Sequence, residues 1–217
     1  MSVPVSVVRR LSVSGPTGSG KSTFASFIAP REGVSLLPEP QPEELLRLFD
    51  QDPRKYCFDL QLKIITSRLA TMGNRIVHTI VLDRSAAEDL EIFAGMYQAA
   101  GFLSDEQYQV LCSAAAKVTA TVGAPDAYVL LSADEASLRK RIQTAGAPNT
   151  VIKMLSEQIA RYRKWRHSLT EPLLEIDTTS LSPDDLRARC SWVLSTIERV
   201  FHGESPNNGT LGLSWTR

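Results

Sequence analysis

The residues best equipped for chemistry lie in "LSVSGPTGSGKSTFASFIA", positions 11 to 29, where Gly15, Gly20, Lys21 and Ser22 satisfy the pattern G-x-x-x-x-G-K-[ST]. The glycines let the backbone curl so that successive N–H groups point inward at phosphate oxygens. An apolar run precedes this loop and a helical pattern follows it. The helix N-terminus therefore adds positive partial charge, Lys21 reaches the outer phosphates, and Ser22 offers its hydroxyl to Mg²⁺. The expected grip covers Gly15, Thr17, Gly18, Ser19, Gly20, Lys21, Ser22 and Thr23. Its ligand is Mg²⁺ with ATP or another nucleoside triphosphate. The alternative is a glycine-rich turn that matches by accident, and the flanking strand and helix argue against it.

A nucleotide grip leaves open where the phosphate goes. Transfer to an acceptor needs a group to activate or orient the acceptor hydroxyl, and positive charge at the moving phosphoryl. "VSLLPEP" places Glu39 just past one apolar run, and "IVLDRS" ends another with Asp83, Arg84 and Ser85. Both sites fall at carboxyl edges of strands, where open α/β sheets bind ligands. Asp83 is suited to hold Mg²⁺ through water, and Arg84 to bridge phosphoryl and hydroxyl oxygens. Glu39 as a solvated loop glutamate, and Ser85 as a plain helix cap, are the structural alternatives. Gln61 and Arg68 lie two turns apart on one helical pattern, and Asp89 and Phe93 one turn apart on another. A glutamine amide suits the edge of a base, Phe93 can stack on it, and an Arg–Asp pair can take up an exocyclic amine.

These groups need a parallel α/β sheet to bring them together, and the chain reads that way. Strands are expected at Val7–Val13, Val34–Leu37, Thr79–Leu82, Ala127–Leu131 and Leu173–Ile176. Between them fall helices near 21–29, 42–50, 54–72, 86–100, 104–121, 134–144, 150–169 and 182–202. Ser104 with Gln107 resembles a capping box, and Ser182 with Pro183 reads as a helix start. The expected domain is single, 1–202, with 203–217 a flexible tail rich in Gly, Asn, Ser and Pro. At 217 residues, 24 Lys+Arg balance 24 Asp+Glu, so a general polyanion binder is not indicated and no nucleic acid partner is expected. Cys57, Cys112 and Cys190, like the three histidines, show no metal-ligand spacing. No apolar run approaches a membrane span and the arginines follow the first apolar residues, so the expectation is a cytoplasmic protein off the membrane.

From about Leu11 to Trp165 the chain resembles the deoxynucleoside kinase family. The resemblance is carried by "GPTGSGKST", the "EP" at Glu39, "DPRKYCFDLQ" with Arg68 beyond it, "LDRSAAEDLEIF" and "ADEASLRKRI". It implies a P-loop kinase fold with a five-stranded parallel sheet flanked by helices, a homodimer, and ATP-driven phosphorylation of a nucleoside 5′-hydroxyl. By that likeness Glu39 is the general base, and Arg84 sits beside the reacting oxygens. Gln61 reads the base, Phe93 stacks on it, and Arg68 with Asp89 completes the base pocket. In the family such a pair goes with cytosine and purine substrates, so a base with an exocyclic amine is expected.

The chain also departs from that pattern. Asp83 replaces the usual glutamate. Asp50 stands where the family has a tyrosine that holds the sugar 3′-hydroxyl. The lid "IQTAGAPNTVI", Ile142 to Ile152, carries no charge, and only Arg141 remains at the matching lid-entry position. Asp50 is therefore expected to meet an altered sugar, and Arg141 the nucleotide, while Arg161, Arg163, Lys164 and Arg166 read as a solvated face. A nucleoside monophosphate kinase is one alternative. Another is a nucleotide-binding regulator that has lost catalysis, which the retained Glu39, Asp83 and Arg84 speak against.

Overall fold

The structure, a computed structural model, describes residues 9–28, 33–71, 79–201 and 213–216. The expected strand start at Val7, the helix ends at 29, 72 and 202, and residues 203–212 and 217 of the tail lie outside the described residues.

Among the described residues six strands form one sheet, in the order β2-β3-β1-β4-β5-β6. They are β1 (Arg9–Ser14), β2 (Val34–Leu37), β3 (Thr79–Asp83), β4 (Ala127–Ser132), β5 (Leu173–Asp177) and β6 (Leu213–Thr216). The first five run parallel, as expected. The sixth is an addition: residues expected to leave the domain as a tail pair antiparallel with β5, Leu174 opposite Trp215. "LSWT" has β-branched and aromatic character suited to an open sheet edge.

The helices are α1 (Lys21–Ile28), α2 (Glu43–Gln51), α3 (Pro53–Ser67), α4 (Ala86–Glu88), α5 (Gly95–Ala99), α6 (Asp105–Val122), α7 (Glu135–Thr144), α8 (Asn149–Lys153), α9 (Leu155–Trp165) and α10 (Pro183–Phe201). A 3₁₀ turn, Arg68–Thr71, closes α3, and a π-helical segment, Asp89–Ala94, joins α4 to α5. The capping box forms at Ser104 and Gln107. At α10 the Asp185 N–H donates to Ser182 Oγ just ahead of Pro183.

Alternation along the strands splits the core into two layers. Leu11, Val13, Val81, Val129 and Ile176 pack on Phe24 and Ile28 of α1 and on Val193 and Ile197 of α10. Leu37, Ile80 and Leu82 face the other way, onto Leu60 and Ile65 of α3 and Leu111 and Val118 of α6. Each fully buried aliphatic side chain contributes about 1.5–3 kcal/mol. The consequence for function is placement. β1 lies between β3 and β4, with Val13 level with Asp83 and Ser14 level with Leu130. The chain leaves β1 and β3 side by side, so the loops after these strands open into one crevice.

Candidate active site

β1 delivers a buried Ser14 into Gly15, whose φ is +142°. A Cβ at Gly15 would stand 2.1 Å from the Leu131 carbonyl oxygen of β4, so no larger residue fits. The loop then enters α1, where Lys21 is buried and its Nζ donates to the Pro16 carbonyl at 2.9 Å. Burial pushes the Lys21 amine down to about 8, and the nearby Arg84 charge acts in the same direction against Glu39, Asp83 and Glu88. The loop is braced from outside as well. The Thr17 N–H donates to Gln158 Oε1 at 2.7 Å. Arg141 on α7 donates to the Gly18 carbonyl at 3.3 Å and to the Thr178 carbonyl at 2.6 Å. A cavity of ≈ 490 Å³ lies over this loop, lined by Gly18 to Thr23, Arg141 and Thr178 among others.

The turn after β3 sets the other half. Arg84 is buried and adopts φ +66°, the one non-glycine residue with positive φ among those described. A conformation of this kind costs on the order of 1 kcal/mol or more and persists only where neighbours hold it. Here the Arg84 N–H donates to the Val13 carbonyl at 3.1 Å. Arg68 Nη1 donates to the Arg84 carbonyl at 2.9 Å and to the Asp83 carbonyl at 3.3 Å. So held, the Arg84 guanidinium lies 4.2 Å from the centre of the Phe93 ring, and its Nε is 3.2 Å from Glu39 Oε1.

Beyond Arg84 a second cavity of ≈ 200 Å³ reaches toward α3. Its polar lining is Thr17, Glu39, Gln41, Gln61, Arg84, Asp89 and the phenol-bearing Tyr97. Gln61 is buried and its Oε1 has no hydrogen-bond partner, an arrangement that favours a ligand donor. The π-helical segment presents Asp89 and Phe93 to this cavity, and such segments gather at functional sites. α2 supplies Leu46 and Phe49, while the lid supplies Ala147, Pro148 and Val151. Thr17, Glu39 and Arg84 line both cavities, which therefore meet at a carboxylate, an arginine and the phosphate loop.

Most residues expected from the sequence converge on these two cavities, but Gly15, Asp83, Arg68 and Asp50 are not among the residues that line them. Arg68 is not among the residues lining the second cavity. Its Nε and Nη2 hold the Asp89 carboxylate at 2.7 and 3.1 Å while Nη1 clamps the Arg84 turn, so it stands behind Asp89. Asp50 does not line the cavity either. Its carboxylate accepts from the Thr150 N–H of α8 at 2.9 Å, a bond that holds its carboxyl below the usual range. Asp50 thus ties α2 to the lid. Asp83 is buried with Oδ1 unpartnered, and Ser22 lines the first cavity, so both suit a bound cation. Arg161 and Arg166 of the basic run pair with Glu157 and Glu175 at 2.9 and 2.8 Å, away from both cavities.

Sequence reasoning missed Glu88, Gln158 and Tyr162. The phenol of Tyr162 donates to the fully buried Glu88 carboxylate, which also accepts from Ser14 Oγ at 2.6 Å. Gln158 and Tyr162 are one turn apart on α9, and nothing in their spacing distinguishes them from an ordinary helix face.

A phosphate-gripping loop opening through a carboxylate and an arginine onto an enclosed acceptor cavity defines a small-molecule phosphotransferase. Residues 11–189 match the family model described as deoxynucleoside kinase, and the chain belongs to that family. As a member it is an ATP-dependent phosphotransferase with a nucleoside hydroxyl as acceptor. It is 29% identical over 163 residues to the deoxyadenosine/deoxycytidine kinase of Bacillus subtilis, over 71% of this chain and 75% of that one. It is 30% identical over 142 residues to the deoxyguanosine kinase of Lactobacillus acidophilus, over 63% and 62% respectively. With the deoxyadenosine kinase of Dictyostelium discoideum it shares 29% over 136 residues, or 61% and 55%. The matches thus span under two thirds of the latter two relatives.

Proposed function

We propose that this protein transfers the γ-phosphoryl of Mg²⁺–ATP to the 5′-hydroxyl of a nucleoside whose base carries an exocyclic amine. The observation that carries this reading is the meeting of donor and acceptor cavities at Thr17, Glu39 and Arg84. Glu39 is the group placed to take the proton of the acceptor hydroxyl. Arg84, 3.2 Å from it, orients that carboxylate and faces the oxygens that gain charge. Lys21 and the loop amides hold the outer phosphates, and with nucleotide bound the Lys21 ammonium is favoured by the charge it meets. Ser22 and Asp83 would hold the cation, which supplies charge neutralisation between the phosphates. Arg141 closes the donor side.

At the far end the Gln61 Oε1 takes a base N–H, Asp89 accepts a second, and Phe93 flanks the ring. The relatives' names, which cover deoxyadenosine, deoxycytidine and deoxyguanosine, support an amino-bearing base. On the lid side of the cavity Ala147, Pro148 and Val151 offer no side-chain partner to a hydroxyl, which leaves any such contact to the opposite walls, where Gln41 and Tyr97 lie, and supports altered sugar recognition. A monophosphate acceptor needs a free arginine in this cavity; the arginine that lines it, Arg84, faces Glu39. We place the enzyme in the cytoplasm as a homodimer. Free thiols at Cys57, Cys112 and Cys190 support the first assignment, and the family resemblance the second.

The test is a panel of nucleosides and nucleoside monophosphates with ATP and Mg²⁺, read by product mass. A mass gain of one phosphate on a nucleoside is expected; turnover of monophosphates alone would refute the proposal. Glu39→Gln should lower kcat by about 10²–10⁴-fold while ADP affinity is retained.

A further inference from the structure

Glu88 has no part in the transfer just described, yet it is completely buried at the centre of the site. Its setting, Ser85-Ala-Ala-Glu88, is the pattern of a capping box, in which the glutamate turns back to the N-cap N–H. Half of the box forms, since the Glu88 N–H donates to Ser85 Oγ at 3.2 Å. The carboxylate goes elsewhere. Oε2 accepts from Ser14 Oγ at 2.6 Å, and Oε1 accepts from the Tyr162 phenol and, at 3.4 Å, from the Gly15 N–H. Arg84 Nε stands 4.0 Å from the same oxygen. One carboxylate therefore touches the last residue of β1, the first residue of the phosphate loop, the helix that follows the lid, and the arginine between the cavities. Gln158, one turn before Tyr162, holds the loop directly through Thr17.

We propose that Glu88 is a positioning residue that fixes the phosphate loop and Arg84 relative to each other, keeping donor and acceptor in register during transfer. This rests on the phosphotransfer reading of the site. Two contributions are separable. The hydrogen bonds shape the loop entry. Burial pulls the Glu88 carboxyl upward, while Arg84, Ser14, Tyr162 and Lys21 favour its charged form. That charge, 4.0 Å from Arg84 Nε, gives the arginine a second counter-charge, so that it is shared between Glu88 and Glu39. Without that sharing, the carboxylate that must accept a proton is held by the arginine beside it.

Glu88→Gln separates the two. Its amide oxygen can still accept from Tyr162 and Gly15, and its NH₂ can donate to Ser14 Oγ, whose hydroxyl then turns to Ser12 Oγ at 3.1 Å. Expected for Glu88→Gln is an ADP Kd and nucleoside KM within about threefold of the parent, with kcat lower by about tenfold or more. Glu88→Ala loses both contributions, and its ADP affinity should fall by about tenfold as well. Tyr162→Phe keeps the charge and should retain kcat within about threefold, which covers the case in which Glu88→Ala does not fold. A kcat for Glu88→Gln within twofold of the parent overturns the proposal, as does a loss in Tyr162→Phe equal to that in Glu88→Gln. So does a kcat loss that only follows the unfolded fraction in a melting curve. If the parent phosphorylates no nucleoside, the functional reading fails. The ADP titration still stands on its own, and unchanged affinity in Glu88→Ala overturns the loop-fixing role.

Discussion

Arg68→Met tests whether Arg68 is the clamp of the reaction centre. The side chains of Arg68 and Asp89 are 5% and 3% exposed, and the guanidinium holds both carboxylate oxygens at 2.7 and 3.1 Å. Its remaining arm holds the carbonyls of Asp83 and Arg84. Methionine matches much of the volume but leaves a buried carboxylate unpaired and two carbonyls without their donor. Breaking one side of a buried pair costs about 3–5 kcal/mol. For a domain of this size that is a fall in Tm of about 6–20 °C. Burial already pulls the Asp89 carboxyl upward, with Arg68 as the main opposing charge. In Arg68→Met that pull is opposed only by the more weakly acting Arg84, and the group is held protonated to higher pH. A carboxyl whose folded pKa is raised favours the fold below its unfolded pKa, near 3.9. That benefit is lost as pH rises through the folded value. The deficit should therefore be smaller at pH 5 than at pH 8. Replacing both partners, Arg68→Met with Asp89→Leu, should recover most of the loss, since a buried pair is commonly neutral against apolar residues of similar size. Calorimetry at the two pH values reads all of this. A single variant within 3 °C of the parent at pH 8, or a double variant no more stable than the single, would refute the clamp.

Gln61→Leu should melt higher than the parent without ligand, by up to about 1–3 kcal/mol, because it removes a buried unpaired acceptor. The same change should lower kcat/KM for the nucleoside by about tenfold or more; a less stable variant with full activity would contradict the assignment. Lys21→Met should stabilise the nucleotide-free protein near pH 7. The depressed Lys21 value, about 8 against 10.5, means an unfavourable contribution of up to about 3 kcal/mol below pH 8. It disappears as pH rises from 8 toward 10.5, so the parent should gain stability over that window and the variant should not. The variant should also lose the rise in Tm that ADP gives the parent. Asp50→Ala should cost about 0.5–1.5 kcal/mol through the Thr150 bond and raise the nucleoside KM. It should leave the ratio of 2′-deoxy to 2′,3′-dideoxy substrate turnover unchanged, and a shifted ratio would return Asp50 to the cavity wall.

What the sequence made legible follows the range over which each signal acts. Gly15, Gly20, Lys21 and Ser22 are set by local backbone geometry, and their spacing alone located the loop. The five parallel strands were visible because both faces of such a sheet are buried, which leaves continuous apolar runs. Gln61, Arg84 and Asp89 were found as residue types at strand ends and helix faces, and the fold brought them to one cavity. Arg68 was found for the same reason and Asp50 by its place in the family's pattern, but neither residue type nor place says which way a side chain is engaged. The partner that claims Asp50 is 100 residues away in the sequence. Glu88 was hidden by a local pattern that offers a sufficient explanation of its own, since an acid three residues after a serine suits a helix start.

The same contrast bears on the uncharged lid. Lid arginines in a phosphotransferase stabilise the moving phosphoryl, and one such group can contribute roughly 10³-fold or more. Here the lid helix is anchored by Asp50 at Thr150, and α9, which follows it, reaches the phosphate loop directly through Gln158 and by way of Glu88 through Tyr162. Positive charge comes instead from Arg84 at the junction and from Lys21 and Arg141 on the donor side, all fixed by the body of the fold. A lid without charge can enclose the acceptor with Ala147, Pro148 and Val151 while leaving the electrostatics to the phosphate loop, the β3 turn and α7. On that division of labour, lid substitutions should act on KM for the nucleoside, and substitutions at Arg84 or Glu88 should act on kcat.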